Sequence, residues 1–255
     1  MDFLGSPAAE KIALLEPHAS NFRRDDLFVE LAKAYNQNFQ PEKALQLLLS
    51  HVFVACEGGE HAIADQYMYA WFQLGMAKKA AGDWAGCYEL LEKALTLPKS
   101  LGSGIWNRCK YVPYQFHMAE CLEHMGKKED AQSIYRMILD IEVEFFSNMH
   151  LRELPYYQAL CAEALGLQQK AWNIMARAKR DWSFNLDRKD NGFFSTTPFF
   201  ISFAQDPAIA RRAYYQYLLG LVKLYEGDRE RAKALFRESY AGNSDSHFCH
   251  YYAHL

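Results

Sequence analysis

The 255-residue sequence contains no apolar stretch long enough to span a bilayer, and its first residues lack a basic segment followed by an apolar one. We therefore expect neither a membrane-spanning helix nor a secretory signal. The six cysteines show no Cys-x-x-Cys spacing, and Cys87, Cys121 and Cys161 fall at apolar positions of predicted helices. Because buried free thiols are typical of a reducing compartment, we expect a cytoplasmic protein.

An excess of basic charge is also absent, since 28 basic residues stand against 31 acidic ones and the formal net charge is −3. Proteins that bind nucleic acid usually carry a basic excess, so this balance argues against such a partner. A basic run from Arg177 to Lys189 includes Trp182 and Phe184, but several aspartates accompany it. We interpret this run as a solvated helix end.

Motifs of catalysis and cofactor binding are missing as well. The sequence has no GxGxxG, P-loop, GxSxG or HExxH pattern, so we expect no cofactor and assign no catalytic residue. Two groups have a spacing that zinc could use: His117, Cys121 and His124 on one helix, and His247, Cys249, His250 and His254 near the end. The first group falls where helices should pack and the second at the chain end, so we predict no metal.

What the sequence does contain is a helix–turn–helix pattern, clearest from Trp71 to Pro98. Gly75 is small enough for two helices to approach closely, Gly82 suits the turn, and Ala94 leaves room for the next helix. Pro98 cannot continue the second helix. This pattern resembles the tetratricopeptide repeat (TPR).

The pattern recurs along the chain, with a small residue at the same place of each first helix: Ala32, Gly75, Ala119, Ala159 and Gly220. We therefore predict an all-α fold, a right-handed TPR-like α-solenoid of about five helical hairpins with partial repeats at both ends. As a single domain over 1–255, its approximate repeats are 25–56, 68–98, 112–140, 152–180 and 208–242. The segment 181–207 is rich in aromatic residues and is predicted to be a structured insertion. The partial repeats suggest a fragment of a longer protein.

A more particular resemblance rests on Tyr35-Asn36-Gln37, on Glu57-Gly58-Gly59-Glu60 and on the phenylalanine-rich insertion. The chain resembles the helical region at the C-terminal end of large bacterial proteins of unknown function. In that family an N-terminal β-sandwich domain, similar in fold to aldose epimerases, precedes the TPR array. The resemblance implies a link to carbohydrate metabolism through that upstream domain alone, and it assigns no catalytic residue to the helical part.

The first helices of a TPR array line a groove that is the usual binding surface. Projecting the helical period along each first helix gives an aromatic surface with acidic patches, suited to an extended peptide, a partner helix or a sugar chain. The alternative is that the insertion fills the groove, or that several of these rings belong to the core. The candidates are Lys33, Asn36, Tyr69, Phe72, Met76, Lys79, Phe116, Glu120, Glu123, His124, Tyr156, Glu163, Tyr214 and Tyr217, with Gln37, Glu153 and Tyr225 beside them.

Two functions fit such a surface. The first is a non-catalytic scaffold that docks a protein partner or the protein's own upstream domain. Because Lys33, Asn36 and Lys79 are followed by several glutamates, a basic or neutral ligand suits the groove better than an acidic peptide does. The second is a carbohydrate-binding or glycoside-processing domain that uses groove aromatics and carboxylates such as Glu120, Glu123 and Glu163. We favour the scaffold. Oligomeric state is left open.

Overall fold

The computed structural model of this chain describes residues 6–54, 61–102, 108–142, 153–187, 207–243 and 246–254. Within these ranges the backbone forms twelve α-helices and no strand, which confirms the all-α class. The chain divides into two compact units, residues 1–131 and 132–255. In the described ranges no helix is both long and apolar enough to cross a bilayer.

In its described residues, the first unit contains six α-helices and the start of a seventh. They are α1 (Ala8–Leu15), α2 (Asp25–Gln37), α3 (Pro41–Leu49), α4 (Ala62–Ala80), α5 (Trp84–Ala94), α6 (Val112–His124) and α7 (Lys128–Leu139), which ends in the second unit. Each of the helices α1 to α5 packs against the next one, and α4 also contacts α2. This succession is that of TPR-like helical hairpins, as predicted.

The described part of the second unit contains the end of α7 and five further α-helices: α8 (Leu154–Ala164), α9 (Gln168–Leu186), α10 (Pro207–Tyr225), α11 (Arg229–Gly242) and α12 (His247–Ala253). Again α8 to α12 pack in succession, and α10 contacts α8 as well as α9. The Gln158 side chain donates to the main-chain oxygens of Ile138, Leu139 and Ile141 at 3.0–3.3 Å. These bonds satisfy carbonyls at the end of α7 that lack a helical partner.

The hairpin turns form where the sequence places its glycines. Gly82, Gly126, Gly166 and Gly227 all have φ between 76° and 81°, the left-handed conformation that ends many helices and that a Cβ disfavours. The turn between α2 and α3 has no glycine, and there Phe39 takes φ 54°. Pro41 then starts α3 at a position where its missing N–H is harmless.

Close approach of the paired helices explains the small residues of the first helices. A Cβ built on Gly75 would lie 3.3 Å from the Leu91 side chain, and one on Gly220 would lie 2.5 Å from Phe236. Ala32, Ala119 and Ala159 are fully buried. The partner helix therefore comes close enough at each of these places to require a small side chain.

One boundary differs from the sequence prediction. The fourth repeat is predicted to end at residue 180, but α9 continues to Leu186 and buries Trp182. The extension follows from the helical spacing of Met175, Ala178 and Trp182, which keeps one apolar side of α9 in the core. The rest of the predicted insertion, 188–206, lies outside the described residues, as does Glu57-Gly58-Gly59-Glu60.

Candidate protein-binding surface on the first helices

All fourteen predicted site residues lie on α2, α4, α6, α8 and α10, which we call the first helices because each opens a predicted repeat. Within each unit, polar side chains of one first helix bond to those of the next. These bonds, called the inter-helix bridges below, decide which of the predicted residues remain available to a ligand.

In the first unit, bridges join both ends of α4 to the region of α6. The Lys110 ammonium donates to both carboxylate oxygens of Asp65 at 2.9 Å. At the other end, Lys79 Nζ lies 2.5 Å from Glu120 Oε2. Asp65 pairs with Lys110 and Lys79 pairs with Glu120, so the residue numbers increase in the same direction along both helices. Helices α4 and α6 therefore run parallel. Lys110 precedes α6 by two residues, so no helical pattern of α6 predicts its role.

His117 completes the bridge at Glu120. Its Nδ1 lies 2.5 Å from Glu120 Oε2 and 3.2 Å from Lys79 Nζ. Since two acceptors would repel at 2.5 Å, Nδ1 carries the proton and donates it to Glu120. The Lys79 ammonium and the imidazole N–H then share one carboxylate oxygen. Nε2 is buried and has no hydrogen-bond partner among the described residues.

The pKa values of this cluster follow from burial and charge. Burial lowers the pKa of His117, because the charged imidazolium loses its water, and this outweighs the bond to Glu120. Burial alone would raise the pKa of Glu120, but the hydrogen bond from His117 and the charges of His117 and Lys79 lower it to about 2. Glu120 is thus ionised at neutral pH and cannot serve as the general acid that a glycosidase requires.

Between α2 and α4 the bridge is an amide cluster. Asn36 Nδ2 donates to the main-chain oxygen of Gln66 at 3.0 Å and to its Oε1 at 2.9 Å. Gln73 Nε2 lies 3.4 Å from Asn36 Oδ1. Asn36 is fully buried, so its side chain holds the two helices together and does not face a ligand.

In the second unit, tyrosines of α10 bridge to Glu153, which directly precedes α8, and to Glu163 near the end of α8. Tyr214 Oη donates to Glu153 Oε2 at 2.9 Å, and Tyr225 Oη donates to Glu163 Oε1 at 2.6 Å. The order of the pairs again makes the two helices parallel. Glu153 is buried, whereas Glu163 is exposed.

Half of the predicted site residues are buried and do not provide exposed surface. The reason is that a first helix packs on several sides, as α4 does against α2, α3 and α5, whereas projecting the helical period assumes one packed side. The surface prediction is wrong for these residues: Asn36, Tyr69, Phe72, Met76, Phe116, Tyr156 and Tyr217.

The remaining seven keep some exposure. Lys33, Lys79, Glu120 and Tyr214 are half-buried, and Glu123, His124 and Glu163 are exposed. The ring of His124 stacks on Trp84, with centroids 3.7 Å apart and planes 1° apart. The surface that the first helices offer is therefore mostly polar, with its carboxylates at the ends of the helices.

Two other interpretations can be compared with the structure. Across the described residues, no group of three or more His, Cys, Asp or Glu side chains could hold a metal ion. In the basic run, Lys179 bonds to Glu226 at 2.5 Å, and Arg177 and Arg180 each lie 3.8 Å from Asp181. These described cations are paired with carboxylates of the chain itself, while Arg188 and Lys189 lie outside the described residues.

Comparison with known proteins supports the class that the fold defines, a helical-repeat protein with a tetratricopeptide repeat. The tetratricopeptide repeat family model matches residues 114–141, the segment that holds most of α6, the Gly126 turn and α7. Repeats of this family generally bind protein partners.

Two similar solved structures contain nearly identical TPR-like repeats of a Podosopora anserina protein named as a kinesin light chain, one of them a single-substitution variant. The variant is 17% identical to this chain with a TM-score of 0.34, covering 88% of this chain and 95% of that one. The other is 18% identical with a TM-score of 0.33, covering 88% and 96%.

Proposed function

We propose that this chain is a non-catalytic scaffold that binds a protein segment through the exposed side of its first helices, with the Glu163–Tyr225 bridge as a contact point. Proteins with tetratricopeptide repeats generally use this side for partners. The partner is a separate protein or the upstream domain that the family resemblance implies.

The observation that supports this proposal is that Glu163 is exposed and bonded to Tyr225. It is exposed at the end of α8 and accepts a hydrogen bond of 2.6 Å from Tyr225. Among the described residues no cation lies within ion-pair distance of it. Burial, and then the bond to Glu163, raises the pKa of Tyr225, so the phenol stays neutral and remains the donor in this hydrogen bond.

This arrangement suits a basic partner. An ionised carboxylate oriented by one hydrogen bond still has acceptor positions for an arginine or lysine of the partner. The neighbouring phenol ring adds flat apolar contact for the stem of such a side chain. An acidic peptide would instead be repelled by Glu163.

The test is a binding titration of the purified chain with arginine-rich peptides and with glutamate-rich peptides of the same length. We expect the basic peptides to bind, and Glu163→Gln to weaken them severalfold because a charge-assisted contact becomes neutral. Asp140→Asn is the control, since Asp140 is also an exposed carboxylate near a helix end of the second unit. It should leave the affinity unchanged.

Further arms separate this proposal from its competitors. The upstream domain, added in trans, should raise the melting temperature of the wild-type chain more than that of Glu163→Gln, if it is the partner. Stabilisation by a panel of oligosaccharides, lost in variants of the exposed glutamates, would contradict the scaffold and favour the carbohydrate-binding alternative. Equal loss of peptide binding in both variants would show only general charge attraction and would also contradict it.

A further inference from the structure

The end of the second unit contains a cavity that neither the first helices nor the proposed contact at Glu163 uses. Its volume is about 320 Å³, and it lies between α11 and α12. We call it the α11–α12 cavity. Its lining residues are Lys233, Arg237, Tyr240, Ala241, Ala253 and His254.

The charge of this cavity is positive. Lys233 and Arg237 are four residues apart on α11, so they project from the same side of the helix. Neither has an ion-pair or hydrogen-bond partner among the described residues, and the described lining residues include no Asp or Glu. In the same unit, Lys223 and Lys179 by contrast pair with Glu226.

His254 adds a third nitrogen group to the same wall. Its Nδ1 lies 2.8 Å from the main-chain oxygen of His250. A carbonyl oxygen only accepts, so Nδ1 carries the proton in that bond. That proton is therefore used within the chain, and the charge offered by this wall comes from Lys233 and Arg237.

A second cavity adjoins the first at Lys233, which lines both. Its volume is about 540 Å³, and its lining includes Leu224, Arg229 and Glu230. Phe236 and Tyr252 also border it, but their stacked rings, with centroids 5.1 Å apart, are themselves buried. A cationic cavity thus opens beside a partly apolar one, and both volumes are typical of small-ligand sites.

We propose that these two cavities bind a phosphate monoester of an aromatic or apolar alcohol. The phosphate would occupy the α11–α12 cavity, where Arg237 can bind two of its oxygens and Lys233 a third. The organic part would lie in the adjoining cavity, against Leu224 and the narrow exposed edge of the Tyr252 ring. A dianion fits a site of two cationic groups better than a single carboxylate does.

The probes are phenyl phosphate, inorganic phosphate, phenylacetate and phenol, each titrated into the whole chain by calorimetry at constant ionic strength. We expect phenyl phosphate to bind most tightly, inorganic phosphate and phenylacetate more weakly, and phenol not at all. Arg237→Gln and Lys233→Gln should each weaken phenyl phosphate about tenfold, the loss typical of one charge-assisted hydrogen bond. Arg180→Gln, an exposed arginine on α9, should have no effect.

Two results would overturn the proposed site. The first is that phenyl phosphate gives no heat of binding up to about 10 mM, where drug-sized sites with good contacts bind. The second is an equal loss of affinity in all three variants. Inorganic phosphate binding as tightly as phenyl phosphate would overturn the aromatic half, and phenylacetate binding more tightly would overturn the phosphate. Glu163→Gln should leave phenyl phosphate affinity unchanged, so this result is independent of the peptide-binding proposal.

Discussion

Tyr217 lies at the centre of an aromatic cluster in the second unit. Its ring centroid is 6.2 Å from that of Tyr214, 5.9 Å from Phe236 and 6.4 Å from Tyr252. The side chain is fully buried, and its hydroxyl has no hydrogen-bond partner among the described residues. A buried hydroxyl without a hydrogen-bond partner costs free energy of folding. The ring of Tyr217 therefore stabilises the fold, whereas its hydroxyl group destabilises it.

We therefore predict that Tyr217→Phe raises the free energy of unfolding by about 1 kcal/mol, since it removes the unpaired hydroxyl and keeps the ring. Urea denaturation followed by circular dichroism measures the change. The matched substitution Tyr214→Phe should act in the opposite direction, because it removes the donor to Glu153. A loss of stability in Tyr217→Phe would mean that the hydroxyl has a partner.

At this scale the sequence predicts residue type better than residue role. It indicates that His117, Glu120 and Lys79 are polar groups on first helices, but not that they bond to one another. The partners in such bridges are 30 to 62 residues apart, and no local pattern joins them. Asp65 carries a faint signal, because it precedes Lys79 by about four helical turns and so lies on the same side of α4.

At the scale of elements, the pairing of α10 with α11 depends on Gly220. The ring of Phe236 occupies the space that a side chain would need there. Gly75 occupies the same position in the pairing of α4 with α5, but there the nearest side-chain atom, on Leu91, is farther away, at 3.3 Å. The two glycines therefore differ in how strictly their helices require them.

We predict that Gly220→Ala lowers the free energy of unfolding by about 1–3 kcal/mol, the usual cost of overpacking a core. Gly75→Ala should change it by less than about 1 kcal/mol, because the small shift required of Leu91 is offset by the better helix propensity of alanine. Urea midpoints of the two variants give the comparison. Equal midpoints would contradict the packing difference.

The elements themselves could be predicted from the sequence in large part. Glycine turns, small residues and apolar periodicity are local, and they locate the helices to within a few residues, as at Gly82 and Gly227. The prediction ends this helix at residue 180, although the spacing of Trp182 from Ala178 continues the apolar side of α9; the aromatic residues beyond Trp182 do not mark where the helix ends at Leu186. The surface prediction failed where a helix packs on several sides.

At the scale of the whole molecule, stability depends on protons that the folded and unfolded chains hold differently. Glu120 has a folded pKa of about 2, below its ordinary value of 4.5, and burial also lowers the pKa of His117 from 6.5. In both cases the unfolded chain binds more protons in the interval between the two values. Stability therefore falls as the pH decreases, first below 6.5 and then more steeply below 4.5.

We predict that the urea midpoint decreases between pH 7 and pH 5.5 and falls further toward pH 3. Glu120→Gln should make the decrease of the urea midpoint below pH 4.5 smaller, because the amide does not titrate. Glu129→Gln, an exposed glutamate at the start of α7, is the control and should leave the profile parallel to that of the wild type. If the urea midpoint of Glu120→Gln changed with pH as that of the wild type does, this would contradict the lowered pKa of Glu120.

The inter-helix bridges have a further consequence, for the time course of folding. Helical hairpins close through contacts between near neighbours in the sequence, which form fast. The bonds from Tyr214 to Glu153 and from Tyr225 to Glu163 join residues 61 and 62 positions apart, and they need both α8 and α10 in place. Such bonds form after the hairpins, so their strength governs how slowly the second unit opens more than how fast it forms.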